Sequence, residues 1–234
     1  EVLEIKIATA SRSEIDIKEF LKEYLTDEVL LNKIADARLI GMVNDLSIGG
    51  KEQKVKADEI LQKDNGDCDM LIVFGIELAK DIHPTRRDIS RLTRALNRRS
   101  ASRPVVLLTR YSDKLTFSAA ERGQYNREGQ KGEKVGRISI LRDIDLKKNN
   151  VHSGHERIIL QLRINPLKIT GFRDLYDQWL EVFNISILNK EFYNELFVWY
   201  LWAVKTVSFP NNISDKSDDT AYPSEHVIRL LTRL

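Results

Sequence analysis

The chain has 234 residues, 42% hydrophobic and 31% charged, a balance that supports one or two globular domains with real cores and excludes disordered and collagen-like classes. No apolar run reaches the ~18 residues that a bilayer span requires, and the N-terminus lacks the basic, apolar, small-residue order of a signal peptide, so a cytoplasmic protein with no membrane partner is expected. Net charge is only +2, and a single cysteine, Cys68, with four histidines gives neither an internal disulfide nor zinc-finger spacing.

From Ile17 to about Ser47, apolar residues (Leu21, Leu25, Leu31, Ile34, Leu39, Val43 among them) recur at roughly helical spacing with a break near Asp27, which predicts two helices. Gly49-Gly50 punctuates the chain, and a short helix is expected from Lys54 to Gln62. Met70-Leu-Ile-Val-Phe-Gly-Ile76 is an unbroken apolar run of strand length, the pattern of a strand covered on both faces. Thr85 and Asp88 form a short capping box that starts a helix running to about Arg99, and Pro104-Val-Val-Leu-Leu108 reads as a second buried strand. Strand, helix and strand in succession predict a βαβ crossover with parallel strands.

Leu115–Ala119 and Gly136–Leu141 alternate apolar and polar positions, and Arg157–Leu162 reads as a further short strand, with antiparallel pairing at one edge of the sheet. Glu121 to Lys134 is expected to be a long loop. After Pro166 the composition turns helical and aromatic, over Phe172–Phe183 and Asn189 to about Val207. Ser208 to Pro223 reads as a surface loop before a last helix. The fold class expected is α/β: a mixed sheet with a βαβ crossover and N-terminal helices over residues 1–166, then an α-helical connector over 167–234. The last run, His226-Val-Ile-Arg-Leu-Leu-Thr-Arg-Leu234, reads as a helix without a C-cap, so the chain is expected to be a fragment of a longer protein.

Charge is concentrated in one place. Between Pro84 and Arg110 stand eight arginines against one carboxylate, Asp88, a local balance of +7 that leaves −5 for the remainder. At 100° per residue, Arg87, Arg91, Arg94 and Arg98 of the predicted helix fall within about 60° of one another, opposite Ile89, Leu92 and Leu96. Such a stripe suits phosphate contacts, because each guanidinium can fork onto phosphate oxygens, with Arg110 and Arg122 as further candidates. A solvated face, carboxylate partners from elsewhere in the fold, and an acidic protein surface are the alternatives.

Metal-dependent phosphodiester cleavage gathers carboxylates, often with a lysine, on adjacent strands, and Asp67, Asp69, Glu77 and Lys80 surround the first strand. An endonuclease site of Asp69, Glu77 and Lys80 that uses Mg²⁺ is therefore the enzymatic alternative, and it is the only place where a metal is expected. His152-Ser-Gly-His155 has no second pair of ligands nearby and reads as a solvent loop. No P-loop, nucleophile elbow or Rossmann glycine fingerprint occurs. The aromatic residues Phe192, Tyr193, Phe197, Trp199, Tyr200 and Trp202 recur at three- and four-residue intervals, which favours a core shared between helices over a base-stacking surface.

Several segments together carry a resemblance: Phe74-Gly-Ile-Glu-Leu78, Arg87-Asp-Ile-Ser-Arg-Leu-Thr-Arg-Ala-Leu-Asn-Arg98, Pro104-Val-Val-Leu-Leu108 with Arg110-Tyr111, Glu133-Lys-Val-Gly-Arg-Ile-Ser-Ile-Leu-Arg-Asp-Ile-Asp-Leu146, Leu188-Asn-Lys-Glu-Phe-Tyr193, Trp199-Tyr-Leu-Trp-Ala203 and Ile228-Arg-Leu-Leu-Thr-Arg-Leu234. From about Leu71 onward the chain resembles the N-terminal region of large bacterial type II restriction-modification proteins, which precedes an adenine-specific DNA methyltransferase. The resemblance implies double-stranded DNA as substrate, and S-adenosylmethionine as methyl donor in the full-length protein. It also implies methyltransferase and target-recognition domains as partners, and leaves open an endonuclease activity in the same polypeptide. The glycine-rich cofactor motif and the Asn/Asp-Pro-Pro-Tyr/Phe motif of that methyltransferase are absent, and Asn165-Pro-Leu167 is not the latter. This stretch is therefore expected neither to hold the cofactor nor to transfer methyl groups, and no catalytic residue carries over from the family.

Overall fold

The structure, a computed structural model, describes residues 8–9, 17–22, 25, 27–51, 53–61, 68–100, 102–124, 133–147, 153–163, 169–209 and 221–232. Six strands form one sheet in sequence order: β1 (Ala8–Thr9), β2 (Ile34–Val43), β3 (Leu71–Leu78), β4 (Val105–Tyr111), β5 (Lys114–Gln124) and β6 (Glu133–Asp145). The pair β3 and β4 is parallel, and the other neighbours are antiparallel. The helix α5 (Arg86–Arg99) makes the crossover between the two parallel strands, so the α/β class and the βαβ unit expected from the sequence are present.

The apolar run of β3 is covered on both faces. Ile72, Phe74, Ile76 and Leu78 enter one core with Leu21 of α1 (Ile17–Lys22), Leu30 and Leu31 of α2 (Glu28–Asn32), Ile60 of α4 (Ala57–Leu61), and Leu92 and Leu96 of α5. Leu71 enters a second core with Val106, Ala119, Ile158 of α6 (Ser153–Gln161), and Leu175, Tyr176 and Trp179 of α7 (Phe172–Val182). Period-2 alternation of the strands assigns α5 to one side of the sheet and α7 to the other.

Two devices fix α7. Its N-cap is Gly171, which has no side chain to offer, and Asp45 at the start of α3 (Asp45–Ile48) supplies the missing carboxylate by accepting the Phe172 N–H at 3.0 Å. One turn later the buried Tyr176 hydroxyl donates to the Ala120 carbonyl at 2.6 Å and accepts the Ala120 N–H at 3.2 Å. Ala120 stands at a register shift of β5 against β6, where the ladder leaves backbone groups without strand partners.

Several expectations are corrected. The second N-terminal helix ends at Asn32, and Ile34–Val43 is a strand whose two register shifts erase the period-2 pattern that identifies strands. Arg157–Leu162 belongs not to a strand but to α6 and the turn that follows it: Ile158 and Leu162, four residues apart, are buried while Leu160 is exposed. His155 accordingly lies in that helix and not in a loop, while His152 falls outside the described residues. Strand structure enters the predicted loop from both sides, with β5 running to Gln124 and β6 starting at Glu133.

The compact units are Glu1–Ile185 and Ser186–Leu234, so the composition change at Pro166 precedes the division, and α7, which packs into the sheet's core, falls in the first unit. In the second unit, α8 (Ile185–Thr206) exposes Phe192, Tyr193, Phe197, Trp199 and Trp202, so among the described residues these aromatics do not form the shared helical core expected of them. The last helix, α9 (Ala221–Thr232), starts before the predicted His226. Among the described residues, no helix is long and apolar enough to cross a membrane.

Candidate nucleic-acid interface

The capping box read from the sequence starts α5: Thr85 Oγ1 accepts the Asp88 N–H at 3.1 Å, and Asp88 Oδ2 accepts the Thr85 N–H at 3.0 Å. Burial pushes the Asp88 carboxyl up, but the hydrogen bonds from Thr85 and the Lys33 ammonium, 3.4 Å away, outweigh it and hold the group below its ordinary value. Asp88 is thereby held by Thr85 and Lys33 and, among the described residues, forms no ion pair with the arginines beside it.

Ile89, Leu92, Thr93, Ala95, Leu96 and Asn97 are the buried side of α5. Thr93 and Asn97 are polar there because they tie the helix to the strands. The Thr93 hydroxyl pairs with that of Ser118 at 2.7 Å, and the Asn97 amide bonds both the carbonyl and the N–H of Val105, at 3.0 and 3.1 Å. With the buried arc pinned against the sheet, the opposite arc faces solvent. Arg87, Arg91, Arg94 and Arg98 are all exposed on it, along about 16 Å of helix axis at 1.5 Å per residue.

The four are not equivalent. Arg91 forms an ion pair with Asp27, the N-cap of α2, a partner that the sequence reading did not identify. Arg94 reaches the Gly136 carbonyl of β6 at 3.4 Å. Neither Arg87 nor Arg98 has an ion pair among the described residues. The chain therefore presents a cationic ridge in which one of four charges is already matched.

Two other predicted contacts do not belong to the ridge. Arg122 has a side chain only 1% exposed. It donates to the carbonyls of Asn97 and Ser100 at 2.8 and 2.6 Å and pairs with Glu133 at 3.1 Å, closing the C-terminal end of α5 from within the protein. Arg110 is exposed, but alternation along β4 gives it the face of Val106, whose core is that of α6 and α7, on the other side of the sheet from α5.

The residues of the enzymatic alternative are not all brought together. Asp69 precedes β3 and is bound bidentately by Arg103 at 2.7 and 3.0 Å, while Glu77 stands near the far end of the strand, 3.8 Å from Arg38. The six residue steps from Leu71 to Glu77 alone span roughly 20 Å at the rise of an extended strand. The exposed Lys80 follows in the turn after Leu78, so Asp69 stands at one end of the strand, too far from Glu77 to share a metal ion with it, and Lys80 at the other. Cys68 is exposed, and its thiol is pushed up by burial against the lowering effect of Arg173, whose Nη1 lies 3.3 Å away. Comparison with known proteins gives no match to any family model, curated protein or solved structure.

Proposed function

We propose that the α/β unit binds duplex DNA through its phosphate backbone, using the ridge of Arg87, Arg91, Arg94 and Arg98 on α5. Its setting in this reading is the N-terminal region of a restriction-modification protein, with an adenine-specific methyltransferase and a target-recognition domain elsewhere in the polypeptide. That setting is supported by the resemblance of the segments quoted above, and this chain's own part in it is DNA contact without methyl transfer. S-adenosylmethionine would be the methyl donor of the methyltransferase.

The observation that carries the DNA reading is the exposure of all four arginines on the arc opposite the buried face, with Arg87 and Arg98 unmatched by any described carboxylate. Uncompensated guanidinium groups at three- and four-residue spacing meet phosphate oxygens without rearrangement of the fold. The ridge carries no aromatic side chain on which an unpaired base would stack, which favours duplex over single strands.

The test is duplex binding by the 234-residue chain across a salt series, beside a variant in which Arg87, Arg91, Arg94 and Arg98 are all alanine. Three or four neutralised phosphates give a log–log slope between about −2.7 and −3.6, which should collapse in the variant. Alanine is the best helix former, so α5 itself should survive, as circular dichroism would show. No wild-type binding at low salt, or a slope unchanged in the variant, overturns the reading. Salt-sensitive binding of a polyglutamate peptide in preference to the duplex would instead assign the ridge to an acidic protein surface.

A further inference from the structure

We infer that Asp27 is a built-in competitor for phosphate: it holds Arg91 out of the DNA interface, so that the ridge engages the backbone through Arg87, Arg94 and Arg98, and Arg91 joins only when Asp27 is neutralised. The inference rests on the DNA reading above and adds the control of that same surface.

An ordinary surface ion pair would yield to a phosphate, because it holds two flexible side chains together for little gain. The Asp27 pair differs in how its carboxylate is placed. Oδ1 accepts the Leu30 N–H at 3.3 Å as the N-cap of α2, while Oδ2 takes Arg91, 64 residues along the chain. The helix that Asp27 caps is anchored by Leu30 and Leu31, which are 2% and 7% exposed and share a core with Leu92 and Leu96 of α5. Both partners are thus carried by helices whose buried residues belong to one apolar cluster, so the fold itself meets part of the ordering cost of the pair.

The position within the ridge matters as much as the pairing. Arg91 lies one turn from Arg87 and from Arg94, so the guanidinium that Asp27 holds belongs to the middle of the ridge and not to its margin. A phosphate approaching Arg91 meets an occupied guanidinium and the carboxylate that occupies it, whereas Arg87 and Arg98 have no ion pair among the described residues. The two unmatched arginines lie 11 residues apart, about 16 Å at 1.5 Å per residue, and define the ends of the contact.

The experiment is a salt titration of duplex binding for four forms of the full chain: wild type, Asp27→Asn, Arg91→Ala and the double variant. Asparagine caps helices as well as aspartate does, so the substitution removes the charge and leaves α2 started. With three phosphates engaged the wild type should give a slope near −2.7; Asp27→Asn should steepen it to about −3.6, a further change of roughly 3.5-fold in affinity between 50 and 200 mM salt. Arg91→Ala alone should keep the wild-type slope, and the double variant should return to it.

A wild-type slope that falls by about 0.9 on Arg91→Ala would mean that Arg91 already holds a phosphate, and would overturn the inference. So would an Asp27→Asn slope equal to the wild type's, or a steeper slope that persists in the double variant. The last result would mark Asp27 as a general repulsive charge with no special hold on Arg91. Loss of all binding by both wild type and Asp27→Asn is the distinct outcome in which the DNA reading itself fails and takes this inference with it.

Discussion

Arg122 shows why counting basic residues does not count contacts. A guanidinium with a side chain 1% exposed is held by the Asn97 and Ser100 carbonyls and by Glu133, which in turn takes Arg173 at 2.7 Å. Arg122→Ala would leave those carbonyls unmatched and Glu133 to Arg173 alone, a loss of roughly 1–3 kcal/mol for each carbonyl that finds no water. Lysine should not rescue it, because a single ammonium lacks the planar fork that reaches several acceptors at once. Denaturant unfolding checks both outcomes. Asp88 makes the matching prediction for pH. Its carboxyl lies below its ordinary value in the folded chain, so the stability it contributes is present above the unfolded-state pKa and is lost as pH falls through the folded one. Asp88→Asn should therefore flatten the acid limb of a plot of stability against pH; an unchanged limb would show that other carboxylates dominate it. The sequence identified the helix, its capping box and its exposed arginines from local spacing alone. Arg122 and Asp27 escaped it because their roles depend on partners brought together by the sheet and the core, which periodicity does not encode.

Among elements, the outcome followed how far each keeps a regular period. The strand β3 and the helix α5 were legible since one is an apolar run on both faces and the other a clean 3.6-residue stripe. In β2, register shifts between Ile34 and Asp36 and between Leu39 and Gly41 give burial without alternation, and the residues mimic a helical pattern. In α6 the apolar Ile158-Ile-Leu160 run is too short to distinguish the two periods, and only the packing of Ile158 with Leu162 settles it. The attachment of α7 was invisible for a different reason: one tyrosine hydroxyl completes the backbone of a distant bulge. Tyr176 is 0% exposed, and burial pushes its hydroxyl well above the ordinary tyrosine range. Tyr176→Phe should strand the Ala120 N–H and carbonyl in the core and lower stability by roughly 1–3 kcal/mol for each group that finds no water. The measurement is the denaturant midpoint; a shift well under 1 kcal/mol would mean that water replaces the hydroxyl.

At the scale of the whole chain, charge and core share the same boundary. The three apolar clusters are built from residues no later than Phe183, and the four ridge arginines with Asp27 lie in the same unit, Glu1–Ile185. A unit that contains its own core is expected to fold alone. A chain ending at Ile185 should therefore unfold in one cooperative transition and bind duplex DNA with the slope of the full chain. What it should lose is the exposed apolar surface of α8, where Phe192, Phe197 and Trp202 are 59%, 59% and 54% exposed. Large apolar side chains exposed to that extent favour association in water. Light scattering should accordingly show less self-association for the shortened chain at equal concentration, with its DNA slope unchanged. A flatter slope in the shortened chain would instead mean that cations beyond Ile185 meet phosphate, and would extend the interface past the α5 ridge.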